Sequence, residues 1–148
     1  MSLVEALRGS HSAVLDTMVL IYYFEDSETY GDLAASIIGD AAREVFEAII
    51  TPVTAAELLV KPLQSGRPDI ADRYRTAMAH LDNTSRCSLS CDTGCMAGAL
   101  RARYDLPLPD MFQVALAMEN GSCALITNDK ALGRITEVPV VLLDDLSS

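Results

Sequence analysis

The sequence predicts an α/β protein with a central, mostly parallel sheet of four to five strands. Short apolar runs rich in β-branched residues alternate along the chain with longer segments that have helical spacing. Half of the 148 residues are hydrophobic, which is enough for one substantial core and too little for two. We therefore expect a single domain over residues 1–148, with its core between about residues 12 and 143.

Each element follows from the local pattern of residues. The strands are assigned to "SAVLD", "VFEAIIT", "SRCSLSC", "CALITND" and "VPVVLL". The segments between them read as helices. We expect one to begin with Thr54 as its N-cap, with Glu57 at capping-box spacing, and one to be capped by Asp92 or Thr93. Another is expected to begin at about Asp110 and to end at Asn120-Gly121, and "KALGRI" to form a short helical turn.

Charge and hydropathy restrict the classes of function. The formal net charge of -10 argues against a broad basic surface for nucleic acid. It does not exclude a nuclease, because acids that hold a divalent cation add negative charge that the metal offsets locally. No apolar run approaches the roughly 20 residues of a membrane span, and the first residues do not resemble a signal peptide. We expect a cytoplasmic protein without membrane association.

Three of the four cysteines, Cys87, Cys91 and Cys95, are spaced four residues apart. A zinc site is one interpretation, but neither His11 nor His80 completes a usual ligand pattern. Small buried thiols in a reducing compartment are the preferred interpretation.

Four acids occupy comparable positions at the ends of these elements. Asp16 and Asp129 each follow an apolar strand, whereas Glu57 and Asp110 are assigned to the first turns of helices. Parallel strands place their carboxyl ends at one edge of the sheet, so the four side chains are expected to converge there. Taken singly, Glu57, Asp110 and Asp129 are each explained by helix capping or turn formation.

Asp16 is less easily explained by local structure. It is a single charge in the apolar stretch "AVLDTMVLIYYF", and a buried carboxylate needs a proton, a cation or a metal as its partner. A ligand set made only of oxygen atoms favours Mg²⁺ or Mn²⁺ over zinc. Such ions suit the hydrolysis of a phosphodiester.

The series "SAVLDT", "TPVTAAEL", "LPLPDMFQVALAMENGSCALITND" and "KALGRI" resembles the PIN-domain ribonucleases, particularly the VapC-type toxins of toxin-antitoxin pairs. The resemblance runs from about Ser12 to Leu143. It implies a PIN-like three-layer α/β/α sandwich and a Mg²⁺- or Mn²⁺-dependent endoribonuclease. The implied metal site and catalytic residues are Asp16, Glu57, Asp110 and Asp129.

The resemblance also implies roles for single residues. Asp16 and Asp110 are direct metal ligands, and Glu57 and Asp129 complete the site directly or through water. Thr127 supports the acidic cluster by hydrogen bonding. Thr17, next to Asp16, is a weaker candidate for the same task.

The implied partners are an RNA substrate, a cognate antitoxin whose basic side chain enters the acidic pocket, and a second copy of the chain in a homodimer. Most of "MVLIYYF" is assigned to the core. Four basic residues are candidates for lining the entrance to the acidic site: Arg101, Arg103, Lys130 and Arg134. Solvation at the surface is the preferred explanation for each of them.

Two other functions are open at this stage. One is a non-catalytic PIN-like module that binds RNA or protein, against which the complete set of acids counts. The other is a small-molecule phosphohydrolase, for which neither a nucleophilic aspartate motif nor a phosphate loop is evident.

Overall fold

A computed structural model describes residues 1–147 and contains one sheet of five strands. The order across the sheet is β3-β2-β1-β4-β5, and every neighbouring pair is parallel. The prediction of four to five mostly parallel strands is confirmed. The strands are β1 (Ser12–Leu15), β2 (Glu47–Ile50), β3 (Thr84–Arg86), β4 (Cys123–Thr127) and β5 (Val140–Leu142).

Seven α-helices of the described chain flank the sheet. They are α1 (Leu3–Leu7), α2 (Thr17–Phe24), α3 (Gly31–Ala42), α4 (Pro52–Gln64), α5 (Pro68–Ala79), α6 (Cys91–Tyr104) and α7 (Leu108–Asn120). Two short 3₁₀ helices, Lys130–Arg134 and Leu143–Asp145, follow β4 and β5.

Alternation along the strands creates two apolar cores, one on each face of the sheet. In β1, Leu15 packs with the core that α1 to α5 cover, whereas Val14 packs with the core under α6 and α7. Successive strand side chains point to opposite faces, so apolar residues at neighbouring positions bury both faces. The result is the three-layer α/β/α sandwich that the resemblance implied.

Two predicted helix starts were wrong. The N-cap of α4 is Thr51, whose hydroxyl accepts the N–H of Thr54, and Pro52 occupies the first helical position. Proline suits that position because its fixed φ matches a helix and its missing N–H is not needed there. Glu57 is therefore in the second turn and not the first. For α6 the N-cap is Ser90 and neither Asp92 nor Thr93.

Two further features differ from the expected elements. The third strand covers only Thr84–Arg86, so most of "SRCSLSC" lies outside it. The helix α1 was not predicted, although Ser2 and Glu5 have capping-box spacing and form both hydrogen bonds of that motif. Its five residues are too few for a periodic pattern to be visible in the sequence.

The expected burial was wrong for the three evenly spaced cysteines and partly right for the apolar stretch after Asp16. Cys87 is partly exposed, and Cys91 and Cys95 are exposed on α6, whereas Cys123, which is outside that group, is buried. In "MVLIYYF" the fully buried side chains are Val19 and Leu20, and the rest are partly or well exposed. None of the helices in residues 1–147 is both long enough and apolar enough to cross a membrane.

Candidate active site

All four acids line one cleft, of about 670 Å³, at the carboxyl edge of the sheet. Asp16 follows β1 and is the N-cap of α2, and Asp129 follows β4 and is the N-cap of a 3₁₀ helix. Glu57 projects from α4, and Asp110 lies in the first turn of α7. Four separate elements thus bring their carboxylates to one place. The local role expected for Asp129 also holds, because its carboxylate accepts the N–H of Ala131 as a cap.

Asp16 is the most deeply buried of the four, with 6% of its surface exposed. One oxygen accepts the backbone N–H of Thr17 at 2.8 Å and the Nε2 of Gln113 at 3.2 Å. The other oxygen accepts the hydroxyl of Thr127 at 2.6 Å. No Lys or Arg of residues 1–147 forms an ion pair with it. Three neutral donors therefore offset the cost of burying this carboxylate and hold its orientation.

Thr127 connects two of the acids. Its fully buried side chain donates to Asp16 and accepts the backbone N–H of Asp129 at 3.1 Å. Because a hydroxyl has one proton and two lone pairs, it can do both at once. The position of the Asp129 backbone is thereby linked to the orientation of the Asp16 carboxylate.

The side chain of Thr17 binds Glu57 and not its neighbour in sequence, Asp16. Its hydroxyl donates to Glu57 Oε1 at 2.6 Å and lies 3.1 Å from the hydroxyl of Thr54. The backbone N–H of Thr17 donates to Asp16 Oδ1, so Thr17 touches two of the four acids. The position of Glu57 in the second turn of α4 brings its carboxylate within reach of this hydroxyl.

Asp110 shows the electrostatic effect of this clustering. Its pKa is raised from 3.8 to about 7, first by burial and then by the negative charges of Asp16, Asp129 and Glu57. Like charges held close together disfavour further ionisation, so the last proton is retained to a higher pH. Near pH 7, and with no cation bound, Asp110 is therefore protonated in some molecules and ionised in others.

The rest of the cleft is formed by one apolar wall and one cation. Met18, Ile21 and Tyr22 of α2 supply the wall, and Lys130 supplies the cation. Lys130 is mostly exposed and lies 3.8 Å from Asp144.

The other basic candidates for the entrance do not line this cleft. Arg101 pairs with Asp105, and Arg103 pairs with Glu137. Of the four candidates, Lys130 alone lies beside the acids.

Gln113 was missed by reasoning from the sequence. It is 1% exposed on α7 and binds Asp16, and it lies one helical turn after Asp110. A polar residue inside the otherwise apolar "MFQVALA", on the same helix face as an acid, was the available signal.

The chemistry of the donors fits a hard divalent cation. In residues 1–147, no three His, Cys, Asp or Glu side chains already lie close enough to form a metal-holding group. Mg²⁺, however, usually keeps several waters and binds proteins through one or two carboxylates. Two buried side-chain oxygens of the described chain, Gln113 Oε1 and Asn128 Oδ1, have no hydrogen-bond partner. Gln113 binds Asp16 through its Nε2, and Asn128 lines the cleft. These acceptors suit the water shell of a cation.

Comparison with known proteins places this architecture in a family. The PIN-domain family model matches residues 13–138. The chain is similar to one in a toxin-antitoxin complex from Klebsiella pneumoniae, at 25% identity and a TM-score of 0.65, covering 88% of this chain and 97% of that one.

Two other solved structures share the fold at lower identity. One is VapBC2 from Rickettsia felis bound to a promoter DNA fragment, at 17% identity and a TM-score of 0.70, covering 87% of this chain and 96% of that one. The other is DNA-bound VapBC from Salmonella typhimurium, at 14% identity and a TM-score of 0.68, covering 89% of this chain and 98% of that one. A search of curated protein sequences gave no significant match. The chain belongs to the PIN-domain family and is VapC-like in its fold.

Proposed function

We propose that this protein is a metal-dependent endoribonuclease that hydrolyses RNA phosphodiester bonds. The observation that carries the proposal is the convergence of four carboxylates from four elements in one cleft. Burial, together with the negative charges of the other three acids, raises the pKa of Asp110 to about 7. Membership of the PIN-domain family supports the same conclusion. Carboxylates so close together repel one another and are stabilised as a group by a divalent cation.

In this proposal Asp16 and Asp110 hold Mg²⁺ or Mn²⁺ directly, and Glu57 and Asp129 complete the site directly or through water. Such a cation, when bound, provides a water of lowered pKa as nucleophile and stabilises charge on the leaving oxygen.

The remaining residues prepare the acids for this task. Thr127 and Gln113 hold the Asp16 carboxylate in one orientation, and Thr17 does the same for Glu57. Preorganised ligands and their supporting hydrogen bonds raise both metal affinity and activity. Asp110 would hold the cation as an ionised carboxylate and would give up its proton to solvent in order to do so.

The substrate is proposed to lie between the acids and the apolar wall of the cleft. Tyr22 and Ile21 offer apolar contact for a ribose or base, and Lys130 offers a positive charge for a phosphate.

We also propose that the protein is the toxin of a VapBC-type pair and acts in the cytoplasm. Similar chains occur in toxin-antitoxin complexes. A cleft with four acids and one lysine is complementary to a basic side chain from an antitoxin. A homodimer is the expected state of the free protein, and its molar mass in solution by light scattering tests this.

The first test is to incubate the purified protein with structured RNA, with and without Mn²⁺. Wild-type protein should cut RNA only with the metal, and Asp16→Asn and Asp129→Asn should each lower the rate by at least about 10²-fold. Asp82→Asn serves as the control, because Asp82 is exposed and outside the cleft.

The nuclease assignment is wrong if folded wild-type protein cuts no RNA, or if both cleft variants cut as well as Asp82→Asn. RNA binding without cleavage would favour the non-catalytic module. The toxin assignment is tested separately by looking for a small antitoxin reading frame beside this one. Its absence would count against a toxin and leave the ribonuclease assignment unchanged.

A further inference from the structure

A second cleft opens at the same carboxyl edge of the sheet, where β2 and β3 end. It measures about 360 Å³, within the usual range of ligand pockets. Arg75 of α5 and Arg86 at the end of β3 contribute its charged side chains, and Thr51 and Ser88 contribute hydroxyls. No acid lines it.

The charge of this arginine cleft is unusual for such an acidic protein. Six of the eleven Lys and Arg residues form ion pairs within the described chain, but Arg86 forms none there. Arg75 lies 3.6 Å from Asp72, and both side chains are more than half exposed, so the pair is weak. Of five clefts compared in residues 1–147, this one alone has lining side chains of net positive charge.

The arginine cleft is close to the acidic cleft. In the sheet, β3 is two positions from β1, or roughly 10 Å at the usual strand spacing. Ile50 is in register with Arg86, and Ile49 with Val14, so Arg86 and Asp16 both lie where these strands end. The helix α4 separates the two clefts, with Ala55 lining one and Glu57 lining the other.

The composition of the cleft matches a phosphate with an attached apolar surface. Arginine binds phosphate oxygens through paired N–H donors, more specifically than a point charge does. Beside the arginines lie the apolar side chains of Ile50, Ala55 and Met78. The ribose and base of a nucleotide present such an apolar surface next to their phosphate.

We propose that Arg75 and Arg86 form a phosphate-binding subsite for single-stranded RNA whose neighbouring part enters the acidic cleft. This inference rests on the proposed ribonuclease function. The subsite gives the strand a positive anchor on one side of α4, and the acids act on the other side. It also explains how a chain with a net charge of -10 holds a polyanion without a broad basic surface.

The test measures binding of a fluorescent single-stranded oligoribonucleotide by anisotropy, in EDTA and over a range of NaCl concentrations. Arg75→Ala/Arg86→Ala should raise the Kd at least about 10-fold and reduce the slope of log K against log salt by about 1.4 for two lost phosphate contacts. Arg73→Ala is the matched control, since Arg73 is exposed on the same helix but does not line the cleft. It should change the Kd by less than about 2-fold.

The subsite is refuted if the double variant binds RNA with the wild-type Kd and salt slope, or if Arg73→Ala weakens binding equally. Loss of binding to a protein partner, with RNA binding intact, would also refute it and assign the cleft to that partner. Thermal melting checks the fold, which these exposed substitutions should leave unchanged. Cleavage is assayed separately with Mn²⁺, so arginine-dependent binding without cleavage refutes the nuclease and not the subsite.

Discussion

The two clefts at the carboxyl edge of the sheet are opposite in charge and differ in how their charged side chains are held. The acidic cleft holds four carboxylates and Lys130, and its deepest acid is fixed by three hydrogen bonds. The arginine cleft holds Arg75 and Arg86 and no acid, and both arginines are exposed. The deepest acid is therefore oriented by hydrogen bonds, whereas the two arginines are open to solvent.

Under the proposed function, the difference separates two tasks that conflict electrostatically, namely holding a cation and binding an RNA strand. Carboxylates that hold a cation repel the phosphates of an RNA strand until the cation is bound. Cationic side chains paired with those carboxylates would compete with the metal, whereas Lys130 lies beside Asp144 instead. Placing them across α4 lets each group act without neutralising the other. Changes to the four acids or to the residues that orient them should therefore affect turnover, and changes in the arginine cleft should affect binding.

Thr127→Val is expected to have the largest effect of the three changes that test this division. It removes the donor to Asp16 and the acceptor for the Asp129 N–H. We expect Mn²⁺-dependent cleavage to fall about 10–100-fold, as for the loss of other residues that orient metal ligands. RNA affinity measured in EDTA should not change.

Thr127→Ser is the control, because it keeps the hydroxyl, and it should restore most of the rate. A valine variant that weakens RNA binding as much as it slows cleavage would contradict the separation of the two tasks.

Asp110→Asn tests the electrostatics of the acidic cleft through stability. The folded pKa of about 7 lies above the unfolded value of 3.8, so the folded state binds more protons between these values. Stability of the metal-free protein should therefore fall from about pH 4 to pH 7 and stay low above it. Because Asp110 is partly exposed, we expect the free energy of unfolding to fall by about 1 kcal/mol, which lowers the melting temperature by about 3 °C.

In metal-free buffer, Asp110→Asn should melt above wild type at pH 8 and equally at pH 4. The variant should also lose the stabilisation that Mn²⁺ gives to wild type. Equal melting temperatures at both pH values would show that the carboxylates are not coupled as described.

Lys130→Ala should have the smallest effect. Lys130 is mostly exposed and only weakly paired with Asp144, so its charge is largely screened. We expect KM to rise about 2–3-fold with little change in kcat. Arg134→Ala, on the same 3₁₀ helix but outside the cleft, is the control. If Lys130→Ala weakened RNA binding more than Arg75→Ala/Arg86→Ala does, the main phosphate contact would be in the acidic cleft and not in the arginine cleft.

Much of the fold followed from local patterns. The apolar runs and their breaks located four of the five strands and only the start of the third, and parallel connections brought Asp16 and Asp129 to one edge. The caps were less predictable, because several candidates stood within three residues and Pro52 fits either the end of a strand or the start of a helix. Local sequence does not separate these choices.

The sequence by itself determined the order of the strands and of the helices between them, the alternation that buries both faces of the sheet, and the chain positions of the four acids. These depend on spacings of two to four residues, which local sequence controls. Only the tertiary structure decided that Gln113 binds Asp16, that Thr17 binds Glu57, and that Arg75 and Arg86 share a cleft. Such pairs join distant parts of the chain, so their contacts depend on how the helices pack on the sheet.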